Sequence, residues 1–274
     1  MHARNITTRS LTAIESHLLT TLSGSGRDIF TTRDAEAILQ RPNAAVRKIM
    51  HRLVQRQWVK RIEKGKYLIV PISAGSDAHY TINELIIASR FIEPYYLTYA
   101  TAISHYGLTE QPTRTVYIAT SKRRLPAEMH GITYRFVTLQ DRKFFGYTTV
   151  WVGDQKIQMA DREKTLVDAL DHPEFCGGLV EAAKAIWNSR DEVDWDRVMA
   201  YTKQMGSGAV IKRLGYLLEL FDLAAPLKRE QLRQKLSAGY ILLDPSLLRA
   251  GRHLTRWRLQ LNASDADLMD WRES

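Results

Sequence analysis

Residues 29–55 have the sequence IFTTRDAEAILQRPNAAVRKIMHRLVQ, which predicts a short extended segment and then two helices joined by a tight turn. Thr32 is the expected N-cap of the first helix, and Asn43 is the expected N-cap of the second, which runs to about Gln57. Pro42 cannot lie inside a helix, so the turn falls just before Asn43. Two short helices joined in this way form a helix-turn-helix, whose second helix enters the major groove of DNA.

Apolar residues recur at helical spacing in the second helix and predict its buried face, from Val46 to Val54. The opposite face is predicted to contact DNA through Asn43, Ala44, Arg47, Lys48, His51 and Arg52. Asn43 and Arg47 lie in the first turns, which reach deepest into the groove. Arginine can pair bidentately with guanine, and asparagine with adenine.

The segments on either side complete a winged helix-turn-helix over residues 1–71. Before it, Ser10 is the expected N-cap of a first helix that ends at the Ser/Gly run 23–26. After it, residues 58–70 predict a β-hairpin with Gly65 in its turn. Its basic residues, suited to phosphate or minor-groove contacts, are Lys60, Arg61, Lys64 and Lys66. Such a domain can also serve protein contact, which is the alternative interpretation.

Positive charge is concentrated in the N-terminal part of the chain. Residues 1–71 contain 13 Lys and Arg against 5 Asp and Glu, a net charge of +8, whereas residues 72–274 have a net charge of +1. A localised basic field is typical of a module that binds a polyanion, although it can also serve only to keep a surface solvated. Together with the helix-turn-helix pattern, it predicts binding to double-stranded operator DNA.

Length and composition exclude several classes of protein. The 274 residues suffice for two domains, and 45% of them are hydrophobic, so extensive disorder is not expected. No apolar stretch approaches the roughly 20 residues that cross a bilayer, and no signal-like run follows the N-terminus. Cys176 is a single thiol, which forms neither a disulfide framework nor a thiolate metal site. We therefore expect a cytoplasmic protein without cofactor or metal.

A second domain is expected over residues 81–274, after a small polar linker at 72–80. A capping-box pattern at 81–84 opens a helix, and strand-like segments follow at 115–120, 132–139, 148–152 and 156–159. Amphipathic helices begin after Asp161. The pattern predicts an α+β domain with a small, mostly antiparallel sheet and a helical layer. Its densest basic run, Lys122-Arg123-Arg124, is expected in a loop, either as plain surface or as a second phosphate contact.

Four blocks of this second region resemble the AbiEi-type antitoxins, which belong to type IV toxin–antitoxin systems. They come in the family's order and cover most of residues 81–262: YYLTYATAISHYGLTEQ at 95–111, DREKTLVDALD at 161–171 followed by PEFCGG, RLGYLLE at 213–219, and LDP at 243–245 with RWRL at 256–259. The run from Glu163 to Asp168 is the most specific of these.

The resemblance implies a winged-helix repressor that autoregulates its operon and counteracts a nucleotidyltransferase-like toxin, although some relatives act as transcriptional regulators without a toxin. We expect an operator with inverted repeats. The sequence leaves the oligomeric state open, with two copies paired on DNA as one alternative. Asp161, Lys164 and Asp168 are candidates for a toxin or inter-domain contact. Their alternative role is structural, because Asp161 suits an N-cap and Lys164 can pair with Asp168 four residues on.

The sequence offers little for an enzyme. No Gly-Ser pair is followed by the paired carboxylates that a nucleotidyltransferase needs for Mg²⁺. A metal-dependent nuclease targeted by the winged helix is the remaining alternative, with Asp154 and Lys156 on a predicted hairpin. Asp154 is better explained as a turn residue, so we expect no catalytic residues.

Overall fold

A computed structural model describes residues 10–70, 83–129, 131–223 and 226–273. The chain divides into two compact units, Met1–Ile82 and Asn83–Ser274. The predicted linker at 72–80 and Thr81 of the predicted capping box lie outside the described residues.

The first unit contains three helices and a three-stranded sheet. Its elements are, in chain order, α1 (Ala13–Gly24), β1 (Ile29–Thr31), α2 (Thr32–Leu39), α3 (Asn43–Gln55), β2 (Val59–Glu63) and β3 (Lys66–Ile69). The strand order is β1-β3-β2, and both pairings are antiparallel. The helices, the extended segment and the hairpin that the sequence predicts are therefore confirmed.

The helix caps differ from the prediction by one or two residues. Thr12, not Ser10, is the N-cap of α1, and Thr31, not Thr32, is the N-cap of α2. In both cases the third residue of the helix is acidic and accepts a hydrogen bond from the backbone N–H of the cap, which forms a capping box. Asn43 is not a cap, since α3 follows Pro42 directly and ends at Gln55 rather than near residue 57.

The core of this unit lies between the helices and the sheet. Leu18 and Leu22 of α1 pack there with Phe30 of β1 and with Val46 and Leu53 of α3, and all five are at most 2% exposed. Trp58 and Ile69 of the hairpin region close the cluster from the sheet side. Because α3 contributes one face to this core, its opposite face is left at the surface.

The second unit contains a six-stranded sheet. Its strands are β4 (Tyr95–Leu97), β5 (Thr115–Thr120), β6 (Ala127–Met129), β7 (Ile132–Thr138), β8 (Tyr147–Val152) and β9 (Gln155–Ala160), in the order β6-β7-β5-β4-β9-β8. The sheet is mixed, because β5 pairs with β7, and β4 with β9, in parallel, while the other pairings are antiparallel. The strand β6 was not predicted.

Helices precede, interrupt and follow this sheet. They are α4 (Glu84–Ser89), α5 (Ala100–His105), α6 (Arg162–Asp171), α7 (Leu179–Asn188), α8 (Trp195–Met205), α9 (Gly208–Leu220), α10 (Pro226–Arg233) and α11 (Asp265–Met269), with 3₁₀ turns at Asp141–Lys143, Pro173–Phe175 and Asp270–Glu273. Asp161 is the N-cap of α6, as predicted, and Asp194 is the N-cap of α8. Asn83, not Thr81, caps α4 with its side chain.

A second, smaller sheet lies near the C-terminus, formed by β10 (Ile241–Leu242), β11 (Arg252–Leu254) and β12 (Leu259–Leu261) in the order β10-β12-β11. Strand-like patterns at 240–243 and near 256–261 predict β10 and β12, whereas β11 was not predicted. The protein is thus of α+β type. Among the helices of the described residues, none is both long and apolar enough to span a membrane.

Candidate nucleic-acid interface

The two faces of α3 have opposite character. Val46, Ile49, Met50 and Leu53 are buried, as the periodicity predicts, and Val54 is half-buried. The other face exposes all six residues predicted to contact DNA: Asn43, Ala44, Arg47, Lys48, His51 and Arg52. Helix α3 therefore presents a continuous polar, mostly basic surface.

Arg52 is already ion-paired, although its side chain is 45% exposed. Its Nε lies 3.0 Å from Oε1 of Glu15 on α1, and Arg56 Nη1 lies 3.2 Å from Oε2 of the same carboxylate. Burial raises the pKa of Glu15, but hydrogen bonds from Thr12 and Arg52 outweigh it and lower the pKa overall. Arg52 therefore fastens α3 to α1, and this ion pair competes with the DNA contact predicted for it.

The tip of the hairpin is fixed against the start of α2. Gly65 adopts φ +79°, a conformation that side-chain-bearing residues rarely adopt. Its carbonyl accepts a hydrogen bond of 2.8 Å from the backbone N–H of Thr32. This contact holds the neighbouring Lys64 and Arg61, both exposed, at a defined distance from α2.

The other two basic hairpin residues are less available. Lys66 Nζ lies 3.6 Å from Oε1 of Glu63, and its side chain is only 18% exposed. Lys60 is half-buried on β2. Of the four predicted hairpin contacts, Arg61 and Lys64 are therefore the best placed to meet a phosphate.

A groove of about 650 Å³ lies between α2, the first turns of α3 and the hairpin tip. It is lined by Thr31, Thr32, Arg33, Glu36, Asn43, Arg47, Arg61, Lys64, Gly65 and Tyr67. Four of these residues are Lys or Arg and one is acidic. The groove thus brings Asn43 and Arg47, predicted to read bases, together with Arg61 and Lys64 of the hairpin, whereas Lys48 and His51 lie outside its lining.

Two charged residues of the groove lining, Arg33 and Glu36, were not predicted to contact DNA. Both lie on α2, for which the sequence predicted no DNA contact. Arg33 is exposed, and the Glu36 carboxylate accepts a hydrogen bond from the side-chain amide of Asn43. The sequence pattern could have identified them. Residues in the first turns of α2 that point away from buried Ala35 must face the hairpin or solvent.

The basic run of the second unit is only partly free. Lys122 and Arg123 are exposed in the loop between β5 and β6, as predicted. Arg124 instead lies over the rings of Phe91 and Phe136, 5.0 and 4.8 Å from their centroids, and donates a hydrogen bond to the carbonyl of Phe91. Because its charge is held against these rings, Arg124 is a packing residue rather than a third contact.

The near-neutral net charge of residues 72–274 conceals a second basic segment. Residues 226–258 contain eight Lys and Arg against two Asp and Glu, although residues 72–274 are nearly neutral as a whole. Several of these cations are neutralised by carboxylates of neighbouring helices, such as Lys228 by Asp196 and Arg256 by Glu219, each pair at 2.7 Å. This pairing limits their value for binding a polyanion.

The residues proposed for a toxin or inter-domain contact form a buried cluster instead. Lys164 and Asp168 on α6 are ion-paired, and both side chains are 0% exposed. Thr98 donates a 2.7 Å hydrogen bond to the Asp168 carboxylate, and the ammonium of Lys164 lies 4.7 Å from the ring centroid of Phe145. These two side chains cannot meet another molecule in this conformation, so the contacts favour the structural interpretation.

Asp161 is also occupied by local bonds. Its carboxylate accepts a 2.7 Å hydrogen bond from the N–H of Lys164 and a 2.8 Å hydrogen bond from the hydroxyl of Tyr201 on α8. Partial burial, together with this bond to Asp161, raises the pKa of Tyr201 to about 12. Asp161 therefore joins α6 to α8 as well as capping α6.

Asp154 and Cys176 are the residues considered for nuclease chemistry and for a thiolate site. Asp154 lies in the turn between β8 and β9, where Gly153 adopts φ +61°. Cys176 is buried, and burial raises the pKa of its thiol well above the usual range, which disfavours a thiolate. Within the described ranges, no group of three or more His, Cys, Asp or Glu side chains could hold a metal ion.

Comparisons with known proteins add a likeness of fold. No protein-family model matches this chain, and no curated protein matches its sequence. Among solved structures, the crystal structure of the Rv2827c protein from Mycobacterium tuberculosis is similar to this chain, with a TM-score of 0.68 at 14% sequence identity. The likeness covers 98% of this chain and 97% of that one, so both units share their fold class with a protein of very different sequence.

Proposed function

We propose that the unit Met1–Ile82 is a winged helix-turn-helix that binds double-stranded DNA, and that the chain represses transcription of its own operon. The observation that carries this proposal is the basic groove between α2, α3 and the hairpin tip, in which Arg33, Arg47, Arg61 and Lys64 surround a concave surface. A concave surface with several cations and little acid suits a phosphate backbone.

The position of each groove residue indicates whether it contacts a base or a phosphate. The first turns of α3 enter the major groove, where Arg47 can pair bidentately with guanine N7 and O6. The hairpin tip lies beside the same groove and suits phosphate contacts, which fix the register but carry no sequence information. Lys48 lies on the exposed face of α3 outside the groove lining, so it suits a phosphate contact.

We expect Arg47→Ala and Lys48→Ala to weaken operator binding to different extents. Loss of a bidentate base contact costs roughly 1–3 kcal/mol and relaxes specificity at one base pair, whereas loss of a phosphate contact costs less and affects all sequences alike. Fluorescence anisotropy at fixed salt, with operator and scrambled duplexes, measures both effects. Arg27→Ala is the matched control, because it removes one charge from the same unit outside the groove lining. Unaltered affinity in both test variants would refute the assignment of α3 as the recognition helix.

The AbiEi resemblance supports a second part of the proposal, namely that the unit Asn83–Ser274 counteracts a nucleotidyltransferase-like toxin. The most specific block of the resemblance, Glu163 to Asp168, lies on α6, and its charged side chains are almost entirely buried. Those residues therefore support the fold of the unit. Contact with the toxin must then be made by exposed residues. Two large apolar candidates are Trp151, at 62% exposure, and Leu248, at 87%.

We expect repression and toxin neutralisation to be separable in the full-length chain. The double variant Arg47→Ala/Lys48→Ala should lose operator binding and still protect cells, because its changes are confined to the first unit. The test co-expresses the variant with the nucleotidyltransferase-like product of the neighbouring gene and counts surviving colonies, with a promoter reporter as the second readout. Loss of protection by the folded variant would mean that the DNA-binding face takes part in neutralisation, and lack of protection by the unchanged chain would contradict the antitoxin role.

A further inference from the structure

The groove contains one feature that phosphate binding does not explain, the contact between Glu36 of α2 and Asn43 of α3. Glu36 is the one carboxylate among the described residues that line the groove. It accepts a hydrogen bond from Nδ2 of Asn43 across the turn between the two helices. A negative charge at this point reduces the attraction for phosphate, so phosphate binding does not account for it.

The chemistry of the contact fixes the orientation of the Asn43 amide. An ionised carboxylate can only accept hydrogen bonds, so it must face the NH₂ group of Asn43 and not its carbonyl oxygen. The carbonyl oxygen Oδ1 is then directed away from Glu36 and remains as an acceptor. The NH₂ group has a second N–H that can still donate, so bidentate pairing with adenine is compatible with this contact.

We propose that Glu36 determines the base specificity of the groove by holding Asn43 as a hydrogen-bond acceptor. In the major groove, only adenine N6 and cytosine N4 offer amino donors, whereas guanine O6 and thymine O4 are acceptors. A base that faces Oδ1 of Asn43 and the Glu36 carboxylate must therefore be adenine or cytosine. Arg47, one helical turn further along α3, has the opposite requirement and selects guanine. This inference rests on the proposed function, since it concerns the same interface.

Glu36→Gln is the informative substitution, because it keeps the size of the side chain and removes both its charge and its restriction to accepting. A glutamine amide can donate to Oδ1 of Asn43 as well as accept from Nδ2, so Asn43 becomes free to turn over. Glu63→Gln is the matched control. Glu63 belongs to the same unit and makes the same change of charge, but it lies on the hairpin, pairs with Lys66 and does not line the groove.

The experiment selects preferred sites from a randomised duplex library with the unchanged full-length chain and with each variant, and then measures affinities for single-base substitutions. We expect the unchanged chain to prefer adenine or cytosine over guanine or thymine at one position by about 10-fold, a typical value for one good base contact. Glu36→Gln should reduce this preference to about 2-fold or less and leave the guanine preference elsewhere intact. Glu63→Gln should retain both preferences.

The possible failures are distinguishable. Selective binding by the unchanged chain with the same preference in Glu36→Gln would overturn the inference and leave the proposed function standing. A guanine or thymine preference that Glu36→Gln abolishes would also overturn it, because Asn43 would then act as a donor. Absence of duplex binding by the unchanged, folded chain would contradict the proposed function itself, and the inference with it.

Discussion

Replacing Asp168 by alanine is expected to destabilise the second unit by about 3–5 kcal/mol, because it leaves the ammonium of Lys164 buried without its counter-charge. Asp168 also accepts hydrogen bonds from Thr98 on the segment after β4 and from Tyr96 within β4, so its loss leaves these hydroxyls unpaired as well. In a unit of this size the loss corresponds to a fall of about 10 °C in Tm. Thermal unfolding followed by tryptophan fluorescence measures it.

Two controls test whether the loss of stability comes from the burial of an unpaired charge. Glu230→Ala breaks an exposed pair on α10, in which Arg233 Nη1 lies 3.1 Å from Glu230 Oε2, and should cost roughly 0.5 kcal/mol or less. The double variant Lys164→Met/Asp168→Leu removes both buried charges and should recover most of the lost stability. An Asp168→Ala variant that unfolds at the temperature of the unchanged chain would show that the pair is dispensable.

DNA affinity is expected to fall steeply with salt, by roughly 150-fold between 50 and 200 mM, if about four phosphates are neutralised at a slope near −3.6. The four cations that suit this role are exposed and lie in or beside the groove of the first unit: Arg33, Lys48, Arg61 and Lys64. Each phosphate contact releases condensed counterions, and added salt opposes that release. Titrations at a series of monovalent salt concentrations give the slope directly.

The hairpin provides the internal check on this estimate. Arg61→Ala/Lys64→Ala should flatten the slope by about 1.8 units and weaken binding to operator and scrambled duplexes alike, because phosphate contacts carry no sequence information. Lys122→Ala/Arg123→Ala in the second unit tests whether that loop adds to the slope. A salt dependence near zero for the unchanged chain would refute the argument from charge.

The sequence predicted the elements of the first unit because their determinants are local. Helical spacing of apolar residues marks the buried face of α3, Pro42 places the turn before it, and Gly65 places the turn of the hairpin. The errors at the caps are also local. Thr12 and Thr31 each precede an acidic residue by three positions, and this reciprocal bonding decided against the neighbouring Ser10 and Thr32.

The strand pairing of the second unit was beyond local reasoning. Strand alternation predicts that β5, β7 and β9 are strands, but it does not state which of them lie side by side. The parallel pair β5–β7 joins strands separated by β6, and the parallel pair β4–β9 joins strands separated by several elements. Short strands such as β6 and β11 carry too few residues for a period to be visible.

What the sequence determined by itself is therefore the set of elements, the basic character of residues 1–71 and the outward face of α3, since each depends on residues close together in the chain. Tertiary structure alone decided which side chains are available to bind another molecule. Arg52 donates a hydrogen bond to Glu15, 37 residues earlier, and Arg124 donates one to the carbonyl of Phe91, 33 residues earlier. The pair Lys164–Asp168 was visible as an i, i+4 spacing, but its burial follows from β4 and the Phe145 ring packing over it. The physical reason is that burial and ion pairing depend on distances in space, which residue spacing along the chain does not specify.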